Sequence, residues 1–144
     1  DFSYSERVRI DTPDDDFLDL DLLKNDNRSV AILSHGLEGN STRPYILGMA
    51  RALSRAGLDI IAWNYRGCSD EMNRQLRFYH SGATDDLQLV IDYTMESGYD
   101  SIHLVGFSLG GNINLKYLGE QGQSVSPLIK SAVTFSVPLD LHTS

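Results

Sequence analysis

Cysteine is almost missing from this chain. Cys68 stands alone among 144 residues, so no internal disulfide can form and no oxidising compartment is implied. Long apolar runs are missing as well, and no stretch approaches the roughly 20 residues of a membrane-spanning helix. The N-terminus shows no secretory signal pattern and does not begin with Met, as a processed or trimmed segment would read. Cytoplasm is the expected location. Basic charge is scarce: 12 Lys and Arg against 20 Asp and Glu leave a formal net charge of −8. That argues against nucleic acid or anionic membrane as a partner, since both require a basic footprint. The phosphate-binding glycine patterns are absent too. There is no G-x-G-x-x-G and no Gly-Lys-Ser/Thr, which removes the dinucleotide and triphosphate readings. The four histidines show no metal-ligand spacing and one cysteine makes no zinc site, so neither metal nor cofactor is expected.

Much of the acidity falls early, at Asp11, Asp14, Asp15, Asp16, Asp19, Asp21 and Asp26. A calcium loop would need a central Gly and a terminal Glu, which the spacing does not supply. The segment reads instead as a solvated turn and strand face.

What is present is one domain's worth of chain, taken as 1–144, with a hydrophobic fraction of 41%. Val8–Ile10 and Phe17–Leu23 read as strands around the turn Thr12-Pro13-Asp14-Asp15-Asp16, the second alternating apolar residues with aspartates as a half-exposed strand does. Val30–Leu33 is a continuous apolar run, consistent with a buried parallel strand. After the loop Ser34–Asn40, a helix begins near Pro44 and stops at Gly57, with Ile46, Met49, Ala50 and Leu53 at helical spacing. Asp59–Tyr65 is a strand that leaves through Arg66-Gly67-Cys68-Ser69. Leu87, Val90, Ile91 and Met95 mark a helix with Asp85 and Asp86 complementing its dipole. A strand then leads to a helix over Leu109–Leu118, ended by Gly119, and Lys130–Ser136 is a last strand. The alternation predicts an α/β fold with a mainly parallel sheet, right-handed crossovers and helices on both faces.

The centre of this plan is Ser101–Gly111. An apolar strand meets the turn Gly106-Phe107-Ser108-Leu109-Gly110, and a helix follows. This G-x-S-x-G turn is a nucleophile elbow: it sets one serine on a strained backbone, and side chains at the flanking glycines would collide with their neighbours. Gly111 permits further close packing. Ser108 then stands at a helix N-terminus, where free N–H groups favour an oxyanion. A serine hydroxyl needs a base to take its proton and donors already aimed at the oxyanion. The backbone N–H groups of Leu109 and Leu37 are the two donors in suitable places. The loops His35-Gly36, Arg66-Gly67, Ser108 and Asp140 all fall at carboxyl ends of strands, where ligands bind in such sheets.

His35-Gly36-Leu37-Glu38-Gly39, Asn64-Tyr65-Arg66-Gly67-Cys68-Ser69, Tyr79-His80-Ser81-Gly82 and Gly106-Phe107-Ser108-Leu109-Gly110-Gly111-Asn112 occur in that order. Leu115-Lys116-Tyr117-Leu118-Gly119-Glu120 follows. In these motifs the chain resembles the YheT-like α/β-hydrolases, from about Glu6 to Leu141. The resemblance implies an α/β-hydrolase fold and a serine hydrolase of esterase or lipase type, with Ser108 as nucleophile and Leu37 and Leu109 as oxyanion donors. A small-molecule ester is the implied substrate.

Family members run roughly twice this length, with Asp and His after the seventh and eighth strands. The sheet is therefore expected to stop before its last strands, with catalytic acid and base beyond this chain. Asp140 and His142 are the only Asp and His after Ser108, and two positions apart they are poorly placed to face one another. His35 reads as a shaper of the oxyanion loop, with general base as its second reading. His80 reads as structural, and His103 as a packed or edge histidine. Arg66 either anchors an acidic substrate group or forms an ion pair that supports its loop; the second is favoured. Cys68 reads as a small packed residue. A non-catalytic binding module of the same fold stays open, as does hydrolysis of thioester, amide or C–C bonds. An open sheet edge near the elbow is expected to leave the 1–144 polypeptide poorly soluble or oligomeric.

Overall fold

The computed structural model describes residues 3–36, 39–68 and 83–135. In chain order the elements are β1 (Glu6–Thr12), β2 (Asp16–Leu23), β3 (Ser29–Ser34), α1 (Pro44–Arg55), β4 (Asp59–Asn64), α2 (Ala83–Glu96), β5 (Ser101–Phe107), α3 (Leu109–Gln121) and β6 (Ile129–Phe135). They form one six-stranded sheet in the order β1-β2-β4-β3-β5-β6. β3 pairs in parallel with β4 and β5, and β5 with β6, whereas the β1–β2 hairpin joins β4 antiparallel. The interior strand β3 is buried on both sides, which is why Val30–Leu33 carries no polar alternation.

Helices cover both faces. On one, Leu87, Val90 and Ile91 of α2 and Ile113 and Tyr117 of α3 pack on Leu20, Ile32, Ile61 and Leu104. On the other, Ile46 and Ala50 of α1 pack on Ala31, Leu33, Ile60 and Val105. Each fully buried branched side chain contributes about 1.5–3 kcal/mol, so the sheet centre is the most strongly held part of the molecule.

Three expectations are corrected. β2 is not half-exposed: Asp16, Asp19 and Asp21 are 0%, 2% and 5% exposed, beside an equally buried Leu18 and Leu20. The early aspartates are thus not all a solvated face. The hairpin register sets Arg7 opposite Asp21 and Arg9 opposite Asp19. Each guanidinium grips its carboxylate through two bonds, at 2.7 and 2.9 Å and at 2.7 and 3.0 Å. Burial alone would raise the Asp21 pKa, but Arg7, Ser41 and Asn64 outweigh it and hold it below the ordinary value. Second, α3 runs past Gly119 to Gln121, and the left-handed residue that caps it is Gly122, with φ 53°. Third, of the two readings of His103 the edge one falls: it is on an interior strand, half-buried, with Nδ1 2.7 Å from Ser131 Oγ.

Among the described residues of β6, Val133 and Phe135 are each 43% exposed.

Candidate active site

Ser108 occupies the single residue between β5 and α3, with φ 55° and ψ −109°. A non-glycine residue in this region is strained and persists only where its surroundings enforce it. The enforcement here comes largely from backbone. Ser108 N–H donates to Phe135 O at 2.9 Å, tying the turn to β6, and Ser108 O accepts from Asn112 N–H at 3.0 Å inside α3. A Cβ on Gly110 would stand 2.1 Å from Ser34 O, and one on Gly106 would stand 2.5 Å from Gly111 N. At Gly111 it would meet Thr134 Cγ2 at 2.2 Å. The elbow therefore rests directly on the end of β3. The Ser108 side chain makes no capping bond to the helix, and its hydroxyl has no hydrogen-bond partner among the described residues. It is half-buried.

The end of β3 supplies the facing loop. A Cβ built on Gly36 would lie 3.8 Å from Ser108 Cβ, so this residue adjoins Ser108. Gly36 N–H is 2.8 Å from Tyr45 Oη on α1, and Gly36 O accepts from Gly39 N–H at 3.1 Å. Tyr45 packs edge-on against Phe107, which stacks on Phe135.

His35, 1% exposed, is fully committed to this loop. Its Nδ1 is 2.8 Å from Gly36 O, and its Nε2 is 3.2 Å from Tyr65 N. A carbonyl can only accept and an amide N–H can only donate, so Nδ1 carries the proton and Nε2 is bare. Burial, aided by the Arg43 charge, pushes the imidazole pKa down to about 4, against the opposing pull of the Gly36 bond. Neutral at ordinary pH and with both nitrogens engaged, His35 is not the general base. The ring also lies 3.7 Å from the Tyr65 ring, and Tyr65 Oη–H donates to His35 O. Beneath them Trp63 Nε1–H donates to Ser34 Oγ at 2.7 Å, and Ser34 Oγ reaches Asn114 Oδ1 of α3 at 3.5 Å.

Arg66, the next residue, is taken up by ion pairs. Its Nε and Nη2 hold both Asp86 oxygens at 2.9 Å, and Nη1 holds Asp14 at 2.7 Å with Asp16 at 3.5 Å. Burial would lower its pKa, but Asp86 and Asp14 overcome that and raise it. Asp86 thus serves Arg66 rather than the helix dipole alone. A cavity of about 250 Å³ borders this cluster, lined by Pro13, Asp14, Arg66, Asp85, Asp86 and Leu89. Cys68 is half-buried against the core, and burial pushes its thiol pKa up, away from nucleophilic use.

Leu109, the residue after Ser108, stands at the first position of α3. Leu37, His80, Asp140 and His142 lie outside the described residues. Among those described, no group of three or more His, Cys, Asp or Glu could hold a metal ion, and no helix is long and apolar enough to cross a membrane. Sequence reading missed the Tyr65–His35 engagement and the Trp63–Ser34–Asn114 chain. The hairpin ion pairs it also missed were available from the tight turn at Thr12–Asp16, which fixes the register.

A strained serine between a parallel strand and a helix, with a glycine loop from the neighbouring strand against it, defines an α/β-hydrolase, and the chain belongs to the alpha/beta hydrolase fold family, whose pattern matches residues 31–143. Among its relatives is the protein named "Putative esterase YheT" of Escherichia coli (strain K12), 35% identical over 139 residues, covering 93% of this chain and 40% of that protein. Phospholipase ABHD3 of Bos taurus is 36% identical over 139 residues, covering 89% of this chain and 33% of its own length. In structure the chain is similar to the Pyrococcus furiosus esterase Pf2001, with a TM-score of 0.80 at 20% identity, covering 98% of this chain and 52% of that one. The chain thus spans less than half of these curated relatives, whose names are those of esterase and phospholipase.

Proposed function

We propose that this chain carries the nucleophile and oxyanion hole of a serine hydrolase that cleaves carboxylic esters, lipid esters included, through an acyl-Ser108 intermediate. The observation that carries this reading is the Ser108 backbone, held at φ 55° with its hydroxyl uncommitted at the start of α3. Ser108 Oγ attacks the acyl carbon while a base takes its proton. The carbonyl oxygen becomes an oxyanion that accepts from Leu109 N–H and Leu37 N–H. The C–O bond to the alcohol then breaks, and the alcohol leaves with the proton returned by the base. Water attacks the acyl-serine in the same way, giving the carboxylic acid and free Ser108.

Neither His35 nor His103 fits the base: the first has both nitrogens in use, and the second is bonded to Ser131. We assign base and acid to polypeptide beyond Ser144, in keeping with the greater length of the relatives. The 144 residues by themselves are then inactive.

The test is intact mass of the source-length protein before and after a fluorophosphonate probe, with Ser108→Ala as control. One adduct that disappears in the variant is the expected result. An unlabelled protein that hydrolyses no ester would refute the reading and favour a non-catalytic binding module.

A further inference from the structure

We propose that Asn114 is a positioning residue for Ser108, holding the first half of α3 against the end of β3 through the Ser34 hydroxyl. The proposal rests on the serine-hydrolase reading above, and Asn114 acts on the serine only through α3.

The observation behind it is a polar group out of place. Asn114 lies on the buried side of α3, 1% exposed, with Gly110, Gly111, Ile113 and Tyr117. Its amide carries both donors and an acceptor. The acceptor, Oδ1, meets Ser34 Oγ at 3.5 Å, and the donor, Nδ2, has no partner. Among the described residues it is the only buried side-chain nitrogen or oxygen in that state. A buried donor without a bond is a standing cost to stability, which an apolar residue branched at the same carbon would not incur. A cost of this kind is expected where the residue serves function rather than packing.

Ser34 is a fixed anchor for it. The residue ends β3, pairs with Trp63 of β4 and accepts from Trp63 Nε1–H at 2.7 Å, which leaves its own hydroxyl proton for Asn114 Oδ1. Ser34 also touches α3 one turn earlier, where a Cβ on Gly110 would stand 2.1 Å from Ser34 O. Positions 110 and 114 share one helix face, about 6 Å apart along the axis. The Gly110 contact is steric: it sets how near the helix can come, and does not stop it from lifting or turning. The Asn114 contact is attractive and stands off the axis, so it sets the turn. Ser108 follows that setting, because its carbonyl accepts from Asn112 N–H within the first turn. On the other flank Ser108 N–H is tied to Phe135 O of β6, and farther along Tyr117 Oη donates to Gln88 Oε1 of α2 at 2.6 Å. Asn114 therefore supplies the one polar tie between α3 and β3 among the described residues.

The experiment uses the source-length protein and the variants Asn114→Leu, Ser34→Ala and the two combined. It reads kcat and KM on p-nitrophenyl butyrate, the rate of labelling by a fluorophosphonate, and the urea midpoint of unfolding. Asn114→Leu leaves no donor unbonded, so its midpoint is expected to equal or exceed that of the wild type. Its kcat and labelling rate are expected to fall about tenfold, with KM within about twofold. Ser34→Ala is expected to lower kcat by a similar factor, with a lower midpoint because Trp63 Nε1–H loses its acceptor. The combined variant should lose no further activity than either alone, since both substitutions break one contact. An Asn114→Leu enzyme with unchanged kcat, or with loss in KM alone, overturns the positioning role. So does one whose midpoint falls along with its activity, or that does not fold, because Asn114 is then a stability residue. Losses that multiply in the combined variant overturn the link through Ser34. A wild type that neither turns over ester nor takes the phosphonate probe removes the serine-hydrolase reading and this proposal with it.

Discussion

Tyr65 and Arg66 are adjacent at the exit of β4, yet they enter two buried clusters with opposite electrostatics. The bonds that join Tyr65, His35, Gly36 and Tyr45 run between neutral groups. Around Arg66 a full positive charge meets Asp14, Asp16 and Asp86. Tyr65, His35, Arg66, Asp16 and Asp86 are all buried, whereas Tyr45 and Asp14, at the margins of the two clusters, are partly exposed. The neutral one borders Ser108 through Gly36. The ionic one joins three separate parts of the chain: the β1–β2 turn, the β4 exit and the start of α2.

The largest effect should come from breaking the ionic cluster. Arg66→Met leaves Asp86 buried without its partner, and a loss of about 3–5 kcal/mol is expected in urea unfolding of the source-length protein. A loss below about 1 kcal/mol would show that the carboxylates find other partners. Next comes acid. The folded His35 pKa, about 4, lies below the ordinary 6.5, so the folded state binds fewer protons than the unfolded one. Its stabilisation is complete above pH 6.5 and is lost as pH falls through 4, on the order of 3 kcal/mol in all. His35→Gln should flatten unfolding free energy across that window; an unchanged slope would break the contrast. The carboxylates act lower. Asp21, held below 3.8, keeps its contribution until pH drops under that value, so Arg7→Ala should move the steepest acid loss upward without altering the pH 4–6.5 limb. The smallest change belongs to an exposed pair. Arg28→Ala removes a 2.5 Å bond to Asp100 between side chains 79% and 55% exposed, and no shift in Tm should be measurable.

The element order was legible because period and glycine placement speak locally: the apolar run Val30–Leu33, the helical spacing after Pro44, and the elbow at Ser108. The candidate nucleophile and the Leu109 donor follow from that turn alone. The burial of β2 was not legible in the same way. Asp19 and Asp21 alternate with leucines as solvent-facing residues do, and only the pairing with β1 brings Arg7 and Arg9 over them. His35 shows the same limit over a longer reach. Its tautomer is set by Tyr65, thirty positions away, and no spacing rule connects a histidine to a distant backbone N–H.

The glycines at the elbow carry one practical consequence for protein engineering. At positions 106 and 110 a deep mutational scan should return glycine only, since the colliding atoms there are backbone, whereas at 111 an added methyl meets the Thr134 side chain. Gly48 and Gly119 are different: both lie inside helices, and an added methyl would meet nothing within 4 Å. Alanine at either should raise thermal tolerance by up to about 1 kcal/mol each. Gly119 is on the very helix that follows Ser108, so robustness can be added to that helix eleven positions away without touching the strained turn.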